Sequence, residues 1–394
     1  MRRLPLLLLA ALWLPLLASL WEPGAEPLLE NRRLAPVPTF PNSWSEARAL
    51  PAAADAWARD HFGFRTRLLV AYNRLRFGLF GEYPSDDLMA GKDDTIFFNF
   101  GTAENKRLLR HLCGLSLPAD KVDDRAMEMM AFLFQMRAIQ PQTFLLAIPD
   151  KSRVTPEALP DWLQTECARA TPPLAAIIDQ IADVPGLEGA SLYPLAAFRA
   201  ASPPVYPKVN FHWNLLGARR IADLTAEAMF KLAPTAALAY HPVPGFSDLS
   251  SFMPGLNRPI AESAPDFAAA DILACQNQPE CFPEFPEAAG KLEQASRFRR
   301  NYLLPEAERR PRLVILSDSF GINIAPGFTP YFAEVWHFSM NALDRRLTPA
   351  EREDMRRVIF DLFQPDIVLH AYTETAILWG DEYLETVRRF VTGQ

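Results

Sequence analysis

The sequence predicts an α/β fold whose mostly parallel sheet is covered by helices on both faces. Short apolar runs rich in branched side chains alternate with segments of helical periodicity. This alternation is typical of parallel strands joined by crossover helices, because such strands are buried on both faces. With 394 residues, of which 49% are hydrophobic and 22% charged, the chain can form a substantial core.

The apolar runs predict the strands of this sheet. Turn residues at Gly91–Asp94 predict a strand pair within residues 88–100. The other predicted strands are Thr143–Ile148, Ser191–Leu195, Arg312–Leu316, Glu334–Phe338 and Asp366–Ala371. In open α/β sheets, ligands bind outside the carboxyl ends of the strands. Residues that follow these runs are therefore candidates for function.

Helical periodicity predicts the elements between the strands. Thr348–Glu351 is a capping box that starts one helix, and Gly81 is predicted to end another. The predicted helices carry these residues on one face: Leu68, Tyr72, Leu75 and Leu79; Met127, Met130, Phe134 and Ala138; Leu174, Ile177, Ile178 and Ile181; and, within Leu215–Leu232, Gly217, Ile221, Leu224 and Ala228.

The remaining segments set the predicted organisation of the chain. Residues 22–50 are rich in proline and are predicted to be a tether. Residues 240–300 lack periodicity and are predicted to be an irregular excursion from one domain over residues 51–394. The net charge of -7 argues against a nucleic-acid partner.

The N-terminus has the pattern of an export or membrane-anchoring segment. Arg2 and Arg3 precede Leu4–Trp21, an uncharged apolar run that is long for a signal core and just long enough for a spanning helix. No clean small-x-small cleavage site follows. Residues 1–21 are therefore predicted to be a signal anchor, with a cleaved signal peptide as the alternative, and the rest of the chain is predicted to lie outside the membrane.

Four cysteines agree with an oxidising compartment. Cys275 and Cys281 are close enough in sequence for a small disulfide loop, which would leave Cys113 with Cys167. Three pairings are possible in principle, and free buried thiols are an alternative. The chain has no Cys-x-x-Cys motif and no histidine cluster nearby, so neither a metal nor a cofactor is expected.

Ser319 and His212 are the strongest candidates for catalytic residues. Ser319 follows the strand Arg312–Leu316, where a hydroxyl can meet a substrate at the end of a sheet. A histidine close to it could take its proton and make it a nucleophile. Each has a structural alternative, since serines commonly cap helices and a single histidine commonly packs in a core.

Several blocks, in this order, resemble the AlgJ/AlgX family of SGNH hydrolase-like polysaccharide O-acetyltransferases. The resemblance is carried by Glu30–Ala35, Asp60–Arg65, Gly91–Asp93 with Ile96–Phe98, Pro149–Lys151 with Leu159–Pro160, Asn210–Asn214 and Ser317–Phe320. It implies a three-layer SGNH hydrolase-like fold. It also implies that Ser319 is the nucleophile, that His212 is the base, and that position 210 orients the base.

Two positions depart from the pattern of this family. Asn210 stands where the family has aspartate. Its carbonyl could accept the imidazole N–H but could not stabilise an imidazolium by charge. In the last block Glu374 matches the family, and Thr375 replaces an arginine. Trp213 and Tyr372 are candidates for stacking on sugar rings, with core packing as the alternative.

The function implied by the resemblance is acetyl transfer through an acetyl-serine to an exported polysaccharide such as alginate. A membrane-bound O-acyltransferase would supply the acetyl group. The protein would be periplasmic and held at the inner membrane by its N-terminal segment. The alternatives are a carbohydrate acetylesterase, which would use the same residues, and a non-catalytic carbohydrate-binding or assembly component, which Asn210 favours.

Overall fold

The computed structural model describes residues 34–101, 107–235, 237–300, 310–379 and 381–393. The helices are α1 Trp44–His61, α2 Arg65–Phe80, α3 Leu108–Leu112, α4 Ala119–Ile139, α5 Lys151–Val154, α6 Asp161–Cys167, α7 Pro173–Ala182, α8 Leu195–Ala200, α9 Leu215–Thr225, α10 Pro286–Lys291, α11 Gly321–Ile324, α12 Leu343–Arg346, α13 Pro349–Arg357, α14 Glu374–Trp379 and α15 Asp381–Thr392. The strands are β1 Leu88–Ala90, β2 Ile96–Phe98, β3 Thr143–Ile148, β4 Ser191–Leu192, β5 Tyr240–Phe246, β6 Pro259–Pro265, β7 Ile272–Gln276, β8 Ala295–Arg300, β9 Arg312–Ser317, β10 Glu334–Ser339 and β11 Ile367–Thr373.

The N-terminal segment predicted at residues 1–21 lies outside the described residues. Among the helices that are described, none combines the length and the apolar character needed to span a bilayer.

A mostly parallel sheet organises the larger part of the chain. Within the described residues seven strands pair in the order β4-β3-β11-β9-β10-β8-β7. The pairs from β4 to β10 are parallel, and β8 and β7 add to the edge at β10 in antiparallel orientation. The α/β class with a mostly parallel sheet is confirmed.

Helices cover both faces of this sheet. Alternate residues of the central strands, such as Ile148 and Leu369, belong to one buried cluster with Ile221 of α9. On the other face the ring of His370 packs edge-on against Phe132 of α4, with centroids 5.0 Å apart. Because successive side chains of a strand point to opposite faces, both faces are buried and the architecture has three layers.

The packing of the helices follows the predicted periodicity only in part. In α7 the inward set Leu174, Ile177, Ile178 and Ile181 is buried, as predicted. In α4 the predicted face is wrong, because Met127 is 60% and Phe134 46% exposed. The buried face of α4 is Ala126, Met129, Phe132, Leu133 and Met136. Apolar residues occupy two adjacent stripes of this helix, so their spacing alone does not determine which stripe packs against the core.

Two expectations about irregular segments are wrong. Residues 240–300 contain strands β5 to β8, of which β7 and β8 extend the central sheet. Their signal was missed because charged side chains interrupt the apolar pattern of β8, at Arg297 and Arg299, and because β7 is a short strand at the edge of the sheet. The predicted tether ends early, since α1 begins at Trp44 after an N-cap at Ser43, whose side chain accepts a hydrogen bond from the Glu46 N–H.

Backbone contacts divide the described chain into two compact units rather than the single predicted domain. The smaller unit contains residues 34–90 and 246–260, and the larger contains residues 91–245 and 261–393. Within the smaller unit the Asn73 side-chain amide of α2 donates to the Pro254 carbonyl at 2.9 Å. The larger unit contains the central sheet.

The cysteines form the small loop that the spacing of Cys275 and Cys281 suggested, together with the remaining pair. Cys113 is bonded to Cys167, and Cys275 to Cys281, with Cα–Cα distances of 5.1 and 5.3 Å. These account for all four cysteines of the chain.

Candidate active site

Ser319 and His212 meet at the carboxyl end of the central sheet. Ser319 lies two residues after the last residue of β9, and His212 lies three residues before the start of α9. The His212 Nε2 atom is 2.8 Å from the Ser319 Oγ atom, which is hydrogen-bonding distance. Both side chains are partly exposed, so a substrate could reach the hydroxyl. The sequence singled out the two residues as candidates. The tertiary structure brings them together although they are 107 residues apart in the chain.

The turn that carries Ser319 is held by its neighbour Asp318. The Asp318 carboxylate accepts hydrogen bonds from the Phe320 N–H at 3.0 Å and from the Thr373 N–H at 2.7 Å. The second bond ties the end of β9 to the end of β11. At Gly321 a Cβ atom would lie 1.9 Å from the Ser317 Oγ atom, so only glycine fits at the start of α11. The serine therefore stands on a constrained turn.

The segment that carries His212 is tied directly to the serine turn. The His212 ring lies 4.5 Å from the ring of Phe320, measured between centroids. The Trp213 Nε1 atom donates to the Phe320 carbonyl at 3.0 Å, and the Asn323 side-chain amide donates to the Trp213 carbonyl at 2.9 Å. Asn214 caps α9, with its side-chain oxygen accepting from the Gly217 N–H. These contacts fix the position of the imidazole relative to the hydroxyl.

Lys151 is a buried cation that holds the segment leading to His212. Its side chain is only 4% exposed. The ammonium donates to the backbone carbonyls of Ile96 at 2.9 Å, Lys208 at 2.5 Å and Asn210 at 3.0 Å. An ammonium has three N–H donors, so these three carbonyls match its full donor capacity. Two of them lie within four residues of His212, which makes Lys151 a positioning residue for the imidazole.

The expected role of Asn210 as orienter of His212 is wrong in this structure. Its side chain is buried, and within the described residues its Oδ1 atom has no hydrogen-bond partner. The imidazole N–H is therefore not bonded to this oxygen. What Asn210 does contribute is its backbone carbonyl, which accepts from Lys151. Asn210 therefore contributes to this segment through its backbone and not through its side chain.

The expected sugar-stacking role of Trp213 and Tyr372 is also wrong. Trp213 is 1% and Tyr372 0% exposed, so neither ring can face a polymer at the surface. Trp213 packs against Phe198 with nearly parallel rings. Tyr372 contacts the ring of Tyr383 edge-on. The alternative of core packing holds for both residues.

A second serine–histidine pair lies beside the first but cannot act in the same way. The His337 Nε2 atom is 2.8 Å from the Ser317 Oγ atom, and both side chains are fully buried. The Ser317 hydroxyl donates to the Asp318 carbonyl at 2.7 Å. Since that uses its single proton, His337 must donate to Ser317 and cannot be its base. Burial lowers the pKa of His337 to about 3, which keeps it neutral.

Three buried carboxyl groups follow the adjacent strands β3, β11 and β9. They belong to Asp150, Glu374 and Asp318, each within two residues of the end of its strand. Glu374 accepts hydrogen bonds from the Asp150 N–H and the Tyr193 hydroxyl, both at 3.2 Å. Burial raises the pKa of Glu374 to about 8, against the opposing charge of Arg153. Periodicity did not reveal this cluster.

The described residues contain no group of ligands arranged to hold a metal ion.

Replacing Glu374 by glutamine is expected to stabilise the protein at alkaline pH. The carboxyl has a folded pKa of about 8 and an ordinary pKa of 4.5, so folding keeps its proton between these values. The free energy of unfolding of the wild type therefore falls as the pH rises through this window, by roughly 1.4 kcal/mol per pH unit. Glu374→Gln lacks this loss. Urea unfolding at pH 5, 6.5 and 8 should show the smallest difference between the two proteins at pH 5 and a growing advantage of Glu374→Gln towards pH 8.

A matched control is Glu287→Gln, which removes an exposed carboxyl. It should keep the pH dependence of the wild type. Parallel stability profiles for the wild type and Glu374→Gln would contradict a protonated Glu374 in the folded state.

Comparison with known proteins finds remote similarity only. No family model and no curated protein matches the sequence. A DHHW family protein from Eubacterium siraeum is 14% identical with a TM-score of 0.46, over 78% of this chain and 99% of its own. The O-acetyltransferase domain of Pseudomonas putida AlgJ is 14% identical with a TM-score of 0.44, over 78% and 99%. PatB1 of Bacillus cereus is 12% identical with a TM-score of 0.46, over 76% and 99%. AlgJ is of the family that the sequence motifs resemble.

Proposed function

We propose that the protein is an O-acetyltransferase that moves an acetyl group through Ser319 to hydroxyl groups of an exported polysaccharide. The observation that carries the proposal is the 2.8 Å distance between the His212 Nε2 and Ser319 Oγ atoms in a partly exposed pair. A histidine at this distance can act as a general base towards the hydroxyl. The order of the motifs in the sequence supports acetyl transfer as the reaction.

The first half of the reaction loads the serine. His212 takes the proton of Ser319, and the Oγ atom attacks the acetyl carbonyl of a donor ester. When the tetrahedral intermediate collapses, the donor's alcohol leaves with the proton held by His212, and acetyl-Ser319 remains. Among the described residues the backbone N–H of Ser319 has no hydrogen-bond acceptor, which leaves it available to the oxyanion.

The second half repeats the chemistry with a sugar hydroxyl as nucleophile. His212 takes the hydroxyl proton, the sugar oxygen attacks acetyl-Ser319, and the Ser319 oxygen leaves with the proton from His212. The products are an acetylated sugar and free enzyme. Water in place of the sugar would give acetate, so exclusion of water decides between transfer and hydrolysis.

Asp318 can replace part of the charge that Asn210 does not supply. Burial raises the pKa of the Asp318 carboxyl, while its bonds to Thr373 and Phe320 and the proximity of His212 act to lower it. When ionised, this carboxylate lies within electrostatic range of the His212 imidazolium. It would therefore stabilise the charged histidine from a different place in the sequence than position 210, where the family has its aspartate.

The cellular context follows from the same proposal. An acetyl ester outside the cytoplasm has to come from a carrier, and a membrane-bound O-acyltransferase would supply it. Two disulfides support an oxidising compartment, which in a protein with this N-terminal sequence would be the periplasm, at the inner membrane. The polymer would be alginate or a similar exopolysaccharide.

A non-catalytic role in carbohydrate binding or assembly is the second candidate. The observation that favours it is Asn210, whose Oδ1 atom is buried without a hydrogen bond within the described part of the chain. A site under selection for fast proton transfer would be expected to orient its base with this residue.

The test is acetyl transfer by the full chain in detergent, with a chromogenic acetyl ester as donor and alginate oligosaccharides as acceptor. Mass spectrometry of the oligosaccharides and an acetate assay then measure the two products. We expect acetylated sugar to exceed acetate. Acetate alone would identify an acetylesterase. The variant Asn210→Asp, which adds negative charge near the imidazole, is expected to turn over faster. Inactivity of both proteins would favour the non-catalytic role.

A further inference from the structure

Helix α2 of the smaller unit presents an apolar stripe to solvent. Leu68, Tyr72, Leu75 and Leu79 recur at helical spacing and are 50–66% exposed, and Phe80 at the end of the helix is 70% exposed. The stripe therefore lies outside the core of its own unit. Contiguous apolar surface of this kind marks an interaction site, since monomeric proteins rarely leave it uncovered.

The opposite face of α2 is the one that packs inside the unit. The Asn73 side-chain amide donates to the Pro254 carbonyl, and Val70 lies directly against Gly255, where a Cβ atom would be 2.7 Å from it. Leu68, Tyr72, Leu75 and Leu79 were predicted from their spacing to share a face. The structure shows that this face and the packing face are different sides of one helix.

Arginines line both borders of the stripe. With 3.6 residues per turn, Arg67 and Arg74 lie two turns apart along one border, and Arg65 and Arg76 lie three turns apart along the other. The helix contains no acidic residue. Arg76 pairs with Glu82 beyond the end of the helix, and the Arg74 Nε atom donates to the Gly255 carbonyl at 2.9 Å. Long arginine stems let the guanidinium groups reach lipid headgroups while the apolar side chains between them are buried.

The place of α2 in the chain agrees with a membrane partner. The described residues begin at 34, and the preceding residues include the apolar run Leu4–Trp21 with Arg2 and Arg3 before it. That run is predicted to hold the chain at a membrane, and a short segment separates it from the smaller unit. The other helix of this unit, α1, carries Glu46 and Asp55 and has no comparable basic border.

We propose that the apolar stripe of α2 lies in the interfacial region of a membrane that contains anionic phospholipid. The apolar side chains enter the headgroup–acyl boundary, and the bordering arginines bind lipid phosphates. At about 1.5 Å per residue the helix covers about 24 Å of the surface. The contact is separate from the N-terminal segment and does not depend on the acetyl-transfer chemistry.

The test places an environment-sensitive fluorophore on the stripe of the full chain. All four native cysteines are in disulfides, so Leu75→Cys can be labelled selectively. Ala53→Cys on the exposed surface of α1 is the matched control. The proteins are reconstituted into vesicles of phosphatidylcholine with or without phosphatidylglycerol, and quenching by nitroxide-labelled lipid is measured. We expect blue-shifted, quenched emission from position 75 only, stronger with phosphatidylglycerol.

The variant Arg67→Gln tests the borders, because Arg74 also donates to the Gly255 carbonyl inside the unit. Removal of Arg67 should weaken local insertion in the anionic vesicles by roughly fivefold. The far-ultraviolet circular dichroism of every labelled protein should match the wild type, which separates loss of insertion from loss of fold. Equal, water-like emission from positions 75 and 53 in anionic vesicles would overturn the proposal. So would a position-75 label that is blue-shifted in the anionic vesicles but is not quenched by nitroxide-labelled lipid, since that would indicate a protein contact.

Discussion

Ser319→Ala is expected to lower acetyl-ester turnover by roughly a thousandfold or more. The variant removes the only serine that lies both within 2.8 Å of a histidine nitrogen and at a partly exposed position among the described residues. Without the hydroxyl no acetyl-enzyme can form, and His212 can only promote attack by water. Turnover of the chromogenic ester measures the loss. Mass spectrometry of peptides after rapid quenching should show an acetyl group on Ser319 in the wild type alone.

Ser317→Ala is the matched control for this experiment. It removes a serine that is also 2.8 Å from a histidine nitrogen, but that pair is buried and its histidine is the donor. Turnover should stay close to that of the wild type. The free energy of unfolding should fall by about 1–3 kcal/mol, because the His337 N–H loses its acceptor. Equal loss of turnover in the two variants would contradict the assignment of Ser319 as nucleophile.

Lys151→Met is expected to reduce kcat by roughly one hundredfold, with a smaller change in KM. The methionine keeps much of the side-chain volume but removes the ammonium from three carbonyls, of which that of Lys208 keeps the Ile96 N–H as a donor. Two of these carbonyls belong to Lys208 and Asn210, so the segment before His212 can shift. A displacement of about 1 Å at the imidazole is enough for an effect of this size. Steady-state kinetics with the chromogenic ester give both constants.

Two further variants separate positioning from stability. Lys121→Met replaces an exposed lysine that pairs with Asp124 on α4, and it should leave the kinetics unchanged. Lys151→Arg keeps the charge and several donors, and it should recover part of kcat. Unfolding in urea checks that each variant is folded at the assay temperature. If Lys151→Met loses stability while the folded fraction keeps its full kcat, Lys151 is a structural residue and not a positioning one.

Much of the central fold could be predicted because its signals are local. Strands β3, β9, β10 and β11 are buried on both faces, so their apolar runs are continuous and stand out in the sequence. The capping box at Thr348 and Glu351 is equally local, and the structure has it as predicted. Strands β7 and β8 were missed because polar and charged residues interrupt their apolar pattern, as at Arg297 and Arg299 of β8, and β7 is the edge strand of the sheet. The same loss of pattern led residues 240–300 to be taken as irregular.

In the candidate site, too, some features could be predicted from local sequence and others could not. The sequence alone determined that Ser319 follows a strand and that His212 precedes a helix, and it favoured the Cys275–Cys281 pair. Only the tertiary structure decided that Lys151 holds the His212 segment, that the Asn210 side chain is not the acceptor expected of it, and that Trp213 and Tyr372 are buried. The reason is physical. Burial and hydrogen bonding depend on which distant segments meet, and no local pattern of residue types encodes that meeting.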